Sequence, residues 1–182
     1  MKTRNALSVA VAVGCVLAAT KAEAQEGRWS VEGRVGSALP TGDLTDGAMN
    51  QTAGMSFGAD LMYTLSPNFT IFGGAGHQSF NCEDCATDVS TTGVDGGMKL
   101  LLGSSERAMP WMRAGLMVHR PEIGDAEGDW NPGLDSGVGI DWNVTDQFTL
   151  VPAVRYNRYA ANDNLTLSYV TIDLGGHLHF GG

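Results

Sequence analysis

The chain has 182 residues, with 11 Lys+Arg against 20 Asp+Glu and a formal charge of −9. That balance repels nucleic acid and leaves no basic stripe to bind it. The length suits one domain with a sizeable core.

Residues 1–24 have the pattern of an export signal. Lys2 and Arg4 make a short positive start, and residues 6–19 are apolar except for Ser8 and Gly14. Ala22 and Ala24 set small residues at the two positions a signal peptidase reads. The apolar run is shorter than the roughly 17–25 residues a spanning helix needs. Cleavage after Ala24 leaves residues 25–182 as the mature domain. A competing route, lipidation at Cys15, is opposed by Ala12, where leucine is usual, and by the apolar run that continues past the cysteine. The signal takes Lys2, Arg4 and Lys21 against Glu23 alone, which leaves 8 cations against 19 anions and a formal charge of −11. No later segment has the pattern of a spanning helix, so a place in a bilayer requires strands.

From Trp29 onward the text alternates with period 2, broken by turn residues. The first predicted strand sets Trp29, Val31, Gly33 and Val35 against Ser30, Glu32, Arg34 and Gly36. The second sets Ala53, Met55, Phe57, Ala59, Leu61 and Tyr63 against Gly54, Ser56, Gly58 and Asp60. The third, from Phe69 to about Ser79, is Gly-rich and alternates only in part. The fourth opposes Val94, Gly96, Met98, Leu100 and Leu102 to Gly93, Asp95, Gly97 and Lys99. In the fifth, Met112, Ala114, Leu116 and Val118 oppose Arg113, Gly115, Met117 and His119. In the sixth, Leu134, Val138, Ile140 and Trp142 oppose Asp135, Gly137, Gly139 and Asp141. The seventh sets Phe148, Leu150, Val154 and Tyr156 against Thr149, Val151, Arg155 and Asn157. The eighth sets Val170, Ile172, Leu174, Leu178 and Phe180 against Tyr169, Thr171, Asp173, His177 and His179.

Each segment is about 10 residues long, the length a tilted strand needs to cross a bilayer. The connections alternate in length. Residues 40–52, 80–90, 121–133 and 160–166 are long and polar, residues 66–68 and 145–147 are tight, and 103–110 is intermediate. The expected architecture is an all-β, eight-stranded antiparallel up-and-down barrel with both termini at the short-turn end. Cys82 and Cys85 stand in a polar stretch without a second pair, and in an oxidising compartment they are expected to form a small loop disulfide.

Alternation alone does not say which face points outward, since a secreted lipocalin-like barrel with a hydrophobic ligand inside also alternates. Three observations favour lipid outside. Trp29, Tyr63, Phe69, Trp111, Trp142, Phe148 and Phe180 all fall at the short-turn end, as in an interfacial aromatic girdle. The polar face mixes Glu32, Arg34, Asp60, Asp95, Lys99, Arg113, Asp135, Asp141, Arg155 and Asp173 with glycines, which suits a barrel interior just wide enough for side chains. Expected ion pairs are Glu32 with Arg34, Asp95 with Lys99, and Arg113 and Arg155 with Asp135 or Asp141. Third, Leu174, Leu178 and Phe180 resemble the closing strand by which outer-membrane barrels are recognised for assembly, with Gly181 and Gly182 as a departure after the aromatic.

Taken together, the pattern resembles the small OmpA/OmpX-type eight-stranded barrels and the broader outer-membrane β-barrel domain family. The resemblance covers the whole mature chain and rests on pattern and topology. It implies a monomeric outer-membrane protein with a structural or surface-interaction role. Its expected partners are membrane lipids, lipopolysaccharide and the barrel-assembly machinery, and it has no cofactor and no continuous pore. His77 and Ser79, two apart, resemble the His-x-Ser motif of outer-membrane lipid A deacylases. Phe80 stands where that motif has asparagine, and no acidic partner follows, so the preferred reading is non-enzymatic and a lipid A ester hydrolase is the alternative. His177 and His179 share a face but have no cysteine to join them, so no metal site is expected. Asp125, Glu127 and Asp129 space carboxylates like half a calcium loop, without the glutamate that closes one.

Overall fold

A computed structural model describes residues 29–42, 44–45, 51–82, 89–103, 105, 107–124, 126–162 and 165–180. The export signal and its cleavage site, Cys85, Asp125 and the two terminal glycines lie outside these residues. The strands are β1 (Trp29–Gly42), β2 (Gln51–Thr52), β3 (Gly54–Ser66), β4 (Phe69–Cys82), β5 (Val89–Leu101), β6 (Ala108–Ile123), β7 (Ala126–Glu127), β8 (Asn131–Asn143), β9 (Phe148–Asn162) and β10 (Leu165–Phe180). The eight long strands each pair antiparallel with the next long one. β1 pairs β10 from Trp29 opposite Phe180 to Gly42 opposite Leu167, which closes the sheet. The two-residue strands β2 and β7 add to β4 and β6 at the long-loop end.

The fold is therefore an all-β, closed, eight-stranded antiparallel up-and-down barrel. Its long strands run 13–16 residues, against the 10 expected from the sequence. A 14-residue strand at about 3.3 Å per residue and a tilt near 40° rises roughly 35 Å along the axis, more than a hydrocarbon core of about 30 Å. The extra residues come from stretches expected to be loop. β1 runs on to Gly42, β4 to Cys82, β6 to Ile123 and β9 to Asn162, because polar residues alternate as well as apolar ones do. Gly42 and Gly124, both at φ 60°, turn the chain where β1 and β6 end, a conformation that L side chains rarely adopt. At the other end, Asn68 and Pro67 suffice to join β3 to β4. The Thr145 hydroxyl accepts the Phe148 N–H at 3.0 Å to set the turn into β9.

Polarity is inverted relative to a soluble protein. Leu116, Leu134 and Met55 are 69%, 62% and 61% exposed, whereas Glu32 and Asp60 are each 1% exposed. Phe57, Leu100, Ile140 and Ile172, which a ligand-binding soluble barrel holds in its centre, all point outward.

Candidate functional site

The barrel encloses a layer of ionised side chains, and Asp60 on β3 is its hub. Its carboxylate lies 2.6 Å from Arg34 on β1, 2.9 Å from Arg113 on β6 and 3.6 Å from Arg155 on β9. Arg113 commits each nitrogen to a different carboxylate: Nε donates to Asp135 at 2.8 Å, Nη1 to Asp60 at 2.9 Å and Nη2 to Asp95 at 2.6 Å. Arg155 donates to Glu32 at 2.6 Å and stands 4.0 Å from Asp173 Oδ2, which also accepts the Thr171 hydroxyl at 2.6 Å. Nearer the short-turn end, Lys99 donates to both Asp141 oxygens at 2.8 Å and lies over the Trp111 ring. Charges in a low-dielectric interior cost several kcal/mol each unless paired and hydrogen-bonded. Here four cations face six carboxylates of the expected set.

Of the expected pairs, Arg113 with Asp135 forms, and the others differ. Glu32 does not pair with Arg34, nor Asp95 with Lys99, among the described contacts. Residues two apart on one strand project in parallel about 7 Å from each other, whereas the narrow lumen brings opposite walls together. Arg155 takes Glu32 rather than Asp135 or Asp141. Arg113 sits opposite Lys99 in the β5–β6 register, and Lys99 turns away from that like charge toward Asp141, two strands round. Phe72 explains the broken alternation of the third predicted strand. It points inward, and the Arg113 guanidinium packs 3.6 Å from its ring centroid.

Glycines shape the space around these groups. A Cβ on Gly74 would meet the Asp60 carboxylate, one on Gly137 the Arg155 and Arg113 side chains, and one on Gly139 the Trp111 ring. An enclosed polar cavity of about 10 Å³ remains between Arg34, Gln78, Asp95, His119, Asp135 and Arg155, room for one water. Above the ionised layer, the Tyr169 hydroxyl donates to Gln78 at 3.0 Å, and Tyr159 donates to Thr91 at 3.0 Å. An apolar cap then closes the long-loop end, built from Ala38, Phe80, Val89, Met117, Tyr159, Leu167 and Tyr169. Leu44, from the turn after β1, tucks in at 1% exposure. Trp111, Val151 and Ala153 form a smaller apolar layer toward the short turns.

Six of the seven girdle candidates project outward near the short turns: Trp29, Tyr63, Phe69, Trp142, Phe148 and Phe180. Trp29 stands opposite both Phe180 and Tyr63, with its ring 4.8 Å from that of Tyr63. Trp111 is a correction. It shares the inward parity of Arg113 and is 1% exposed, inside the barrel.

His77 and Ser79 share the outward face of β4, away from the ionised layer. The His77 Nδ1 bonds to the Thr92 hydroxyl at 2.8 Å and the Ser79 oxygen faces the Met55 N–H at 3.4 Å. Among the described residues no hydrogen bond or ion pair links the histidine to the serine or to a carboxylate, and Glu122, in register with Ser79 two strands round, acts on it only through space. His177 and His179 stack at 4.3 Å without a third ligand, and among the described residues no group of three metal-binding side chains forms. Glu127 of the half calcium loop is bonded by Arg120 at 3.0 Å. Cys82 closes β4, while Cys85 lies outside the described residues.

A closed wall with apolar side chains outside and ionised ones within defines a barrel made for an apolar surrounding. No protein-family model matches this chain, and no curated protein sequence does. Solved structures match in fold. Neisserial surface protein A, NspA, aligns with a TM-score of 0.68 over 84% of this chain and 97% of its own, at 16% identity. The N-terminal β-barrel domain of Pseudomonas aeruginosa OprF gives 0.54 over 85% and 100%, at 15% identity. Ail, the attachment invasion locus protein of Yersinia pestis, solved with the heparin analogue sucrose octasulfate, gives 0.54 over 85% and 100%, at 14% identity. This chain has the fold of the small eight-stranded outer-membrane β-barrels.

Proposed function

We propose that the chain is an integral bacterial outer-membrane protein with a structural or surface-interaction role, built around a closed, charge-paired interior, and that it is not an enzyme. The observation that carries this is the inversion of polarity: Leu116 and Leu134 outside, Glu32 and Asp60 inside. Water on the outer wall would face an apolar band far larger than soluble monomers expose. The aromatic rings at the short turns fit a membrane–water interface, and the long loops then face the exterior. Residues 1–24 act as the export signal and are removed after Ala24. Lipids and lipopolysaccharide surround the wall, the barrel-assembly machinery inserts it, and the protein is a monomer. The Cys82–Cys85 pair is oxidised and pins the loop after β4.

The four long connections expected from the sequence carry ten carboxylates and no Lys or Arg. A surface of that charge repels sulfated polyanions such as the heparin analogue bound by Ail, so the loops suit neutral or cationic partners. The test is expression with the native leader. Expected are recovery in the outer-membrane fraction, an N-terminus at Gln25, and gel mobility that changes on heating in detergent. A mature chain that stays freely soluble without detergent would overturn the reading.

A further inference from the structure

The outer wall stops being apolar at the same step on three neighbouring strands. On β1, β10 and β9, Leu39, Val170 and Tyr156 lie side by side, and one step nearer the long loops the row becomes Thr41, Ser168 and Arg158. Thr41 donates to the Ser168 hydroxyl at 3.0 Å, a polar floor beside Arg158. Arg158 and Tyr156 are both exposed on this outward face, and neither has a hydrogen-bond or ion-pair partner among the described residues. The other outward cation of a strand at this end, Arg120, differs. It is neutralised by Glu122 at 3.3 Å and Glu127 at 3.0 Å.

A guanidinium unpaired among the described residues, with a phenol hydroxyl one step below it, is a fork of donors matched to phosphate oxygens. Position decides which phosphate. The stretches 40–52, 80–90, 121–133 and 160–166 together carry ten carboxylates, of which Glu122 and Glu127 lie on β6 and β7, and no Lys or Arg, so a free anion approaching from solution meets net negative charge. A phosphate carried in sideways by a lipid avoids those loops, and its chains lie against Leu39, Val170 and Tyr156. We propose that Arg158 and Tyr156 form a lateral site for the phosphate of an outer-leaflet lipid headgroup. This rests on the membrane placement proposed above.

The test uses the full mature chain in nanodiscs of digalactosyldiacylglycerol, whose headgroup carries no phosphate, doped with bisphosphorylated lipid A or with the same lipid dephosphorylated. Bound lipid A is counted by native mass spectrometry, and heat-modifiable mobility reports insertion. The expected result is about tenfold stronger retention of the phosphorylated lipid by the unchanged protein, from one charge-assisted bidentate contact. Arg158→Gln should abolish that preference, Tyr156→Phe should weaken it, and Arg120→Gln should keep it. Millimolar inorganic phosphate should leave it intact. Equal retention by the protein and its Arg158→Gln variant, or displacement by inorganic phosphate, would overturn this inference while leaving the membrane placement standing. Failure to enter the nanodisc would overturn both.

Discussion

Arg113 and Asp60 meet at 2.9 Å although their strands, β6 and β3, are separated by two others around the wall. The contact crosses the lumen, and it is one of three that Arg113 makes with carboxylates. Replacing Arg113 by glutamine leaves Asp60, Asp95 and Asp135 without their shared cation. The expected loss is about 3–5 kcal/mol of unfolding free energy, measured by urea unfolding of the detergent-folded barrel. Arg113→Lys should recover only part of it, since one ammonium cannot serve three directions. An unchanged midpoint for Arg113→Gln would mean that water already screens these groups.

Space inside is equally specific. A Cβ at Gly139 would overlap the Trp111 ring, so Gly139→Ala should destabilise by about 1–3 kcal/mol and perturb Trp111 emission. Gly33→Ala is the matched control, because nothing lies within 4 Å of a Cβ there. Its unfolding should be unaltered or slightly harder.

Charge on the outer wall should cost according to depth. Val138, 56% exposed on β8, lies two residues past Ile140 and four past Trp142 on the same face. Val138→Arg is expected to lower stability by about 2–4 kcal/mol in bilayers, and Trp142→Arg by about 0–1. Equal costs at the two positions would argue against a hydrocarbon surrounding.

The four tryptophans separate the interior from the wall. In vesicles with brominated acyl chains, single-tryptophan variants keeping Trp29 or Trp142 should be strongly quenched, and one keeping Trp111 should not. Strong quenching of Trp111 would contradict its placement beneath Lys99.

Much of this was legible in the sequence, for a reason that also marks where legibility ends. Period 2 assigns each residue to a face, and the polar assignments of Glu32, Asp60, Lys99, Arg113 and Asp173 agree with their burial. Trp111 falls at the short-turn end like the girdle residues, but it shares the parity of Arg113, and parity is the better guide. Phe72 and Phe80 point inward on a strand whose glycines blurred the alternation. Pair partners were not legible. Arg155 and Glu32 are 123 residues apart, and their contact depends on strand tilt and on stagger across the lumen, which no local pattern encodes.

The seam between β1 and β10 sets an order of events. The first strand to be synthesised finds half of its backbone partners only in the last, 14 paired positions from Trp29 with Phe180 to Gly42 with Leu167. Until that final segment arrives, Val31, Val35 and Leu39 belong to an unmatched ribbon with every N–H and C=O of one side open. The polypeptide must therefore wait, unfolded and shielded, for its own tail, and shortening that tail should halt maturation rather than merely weaken the finished product.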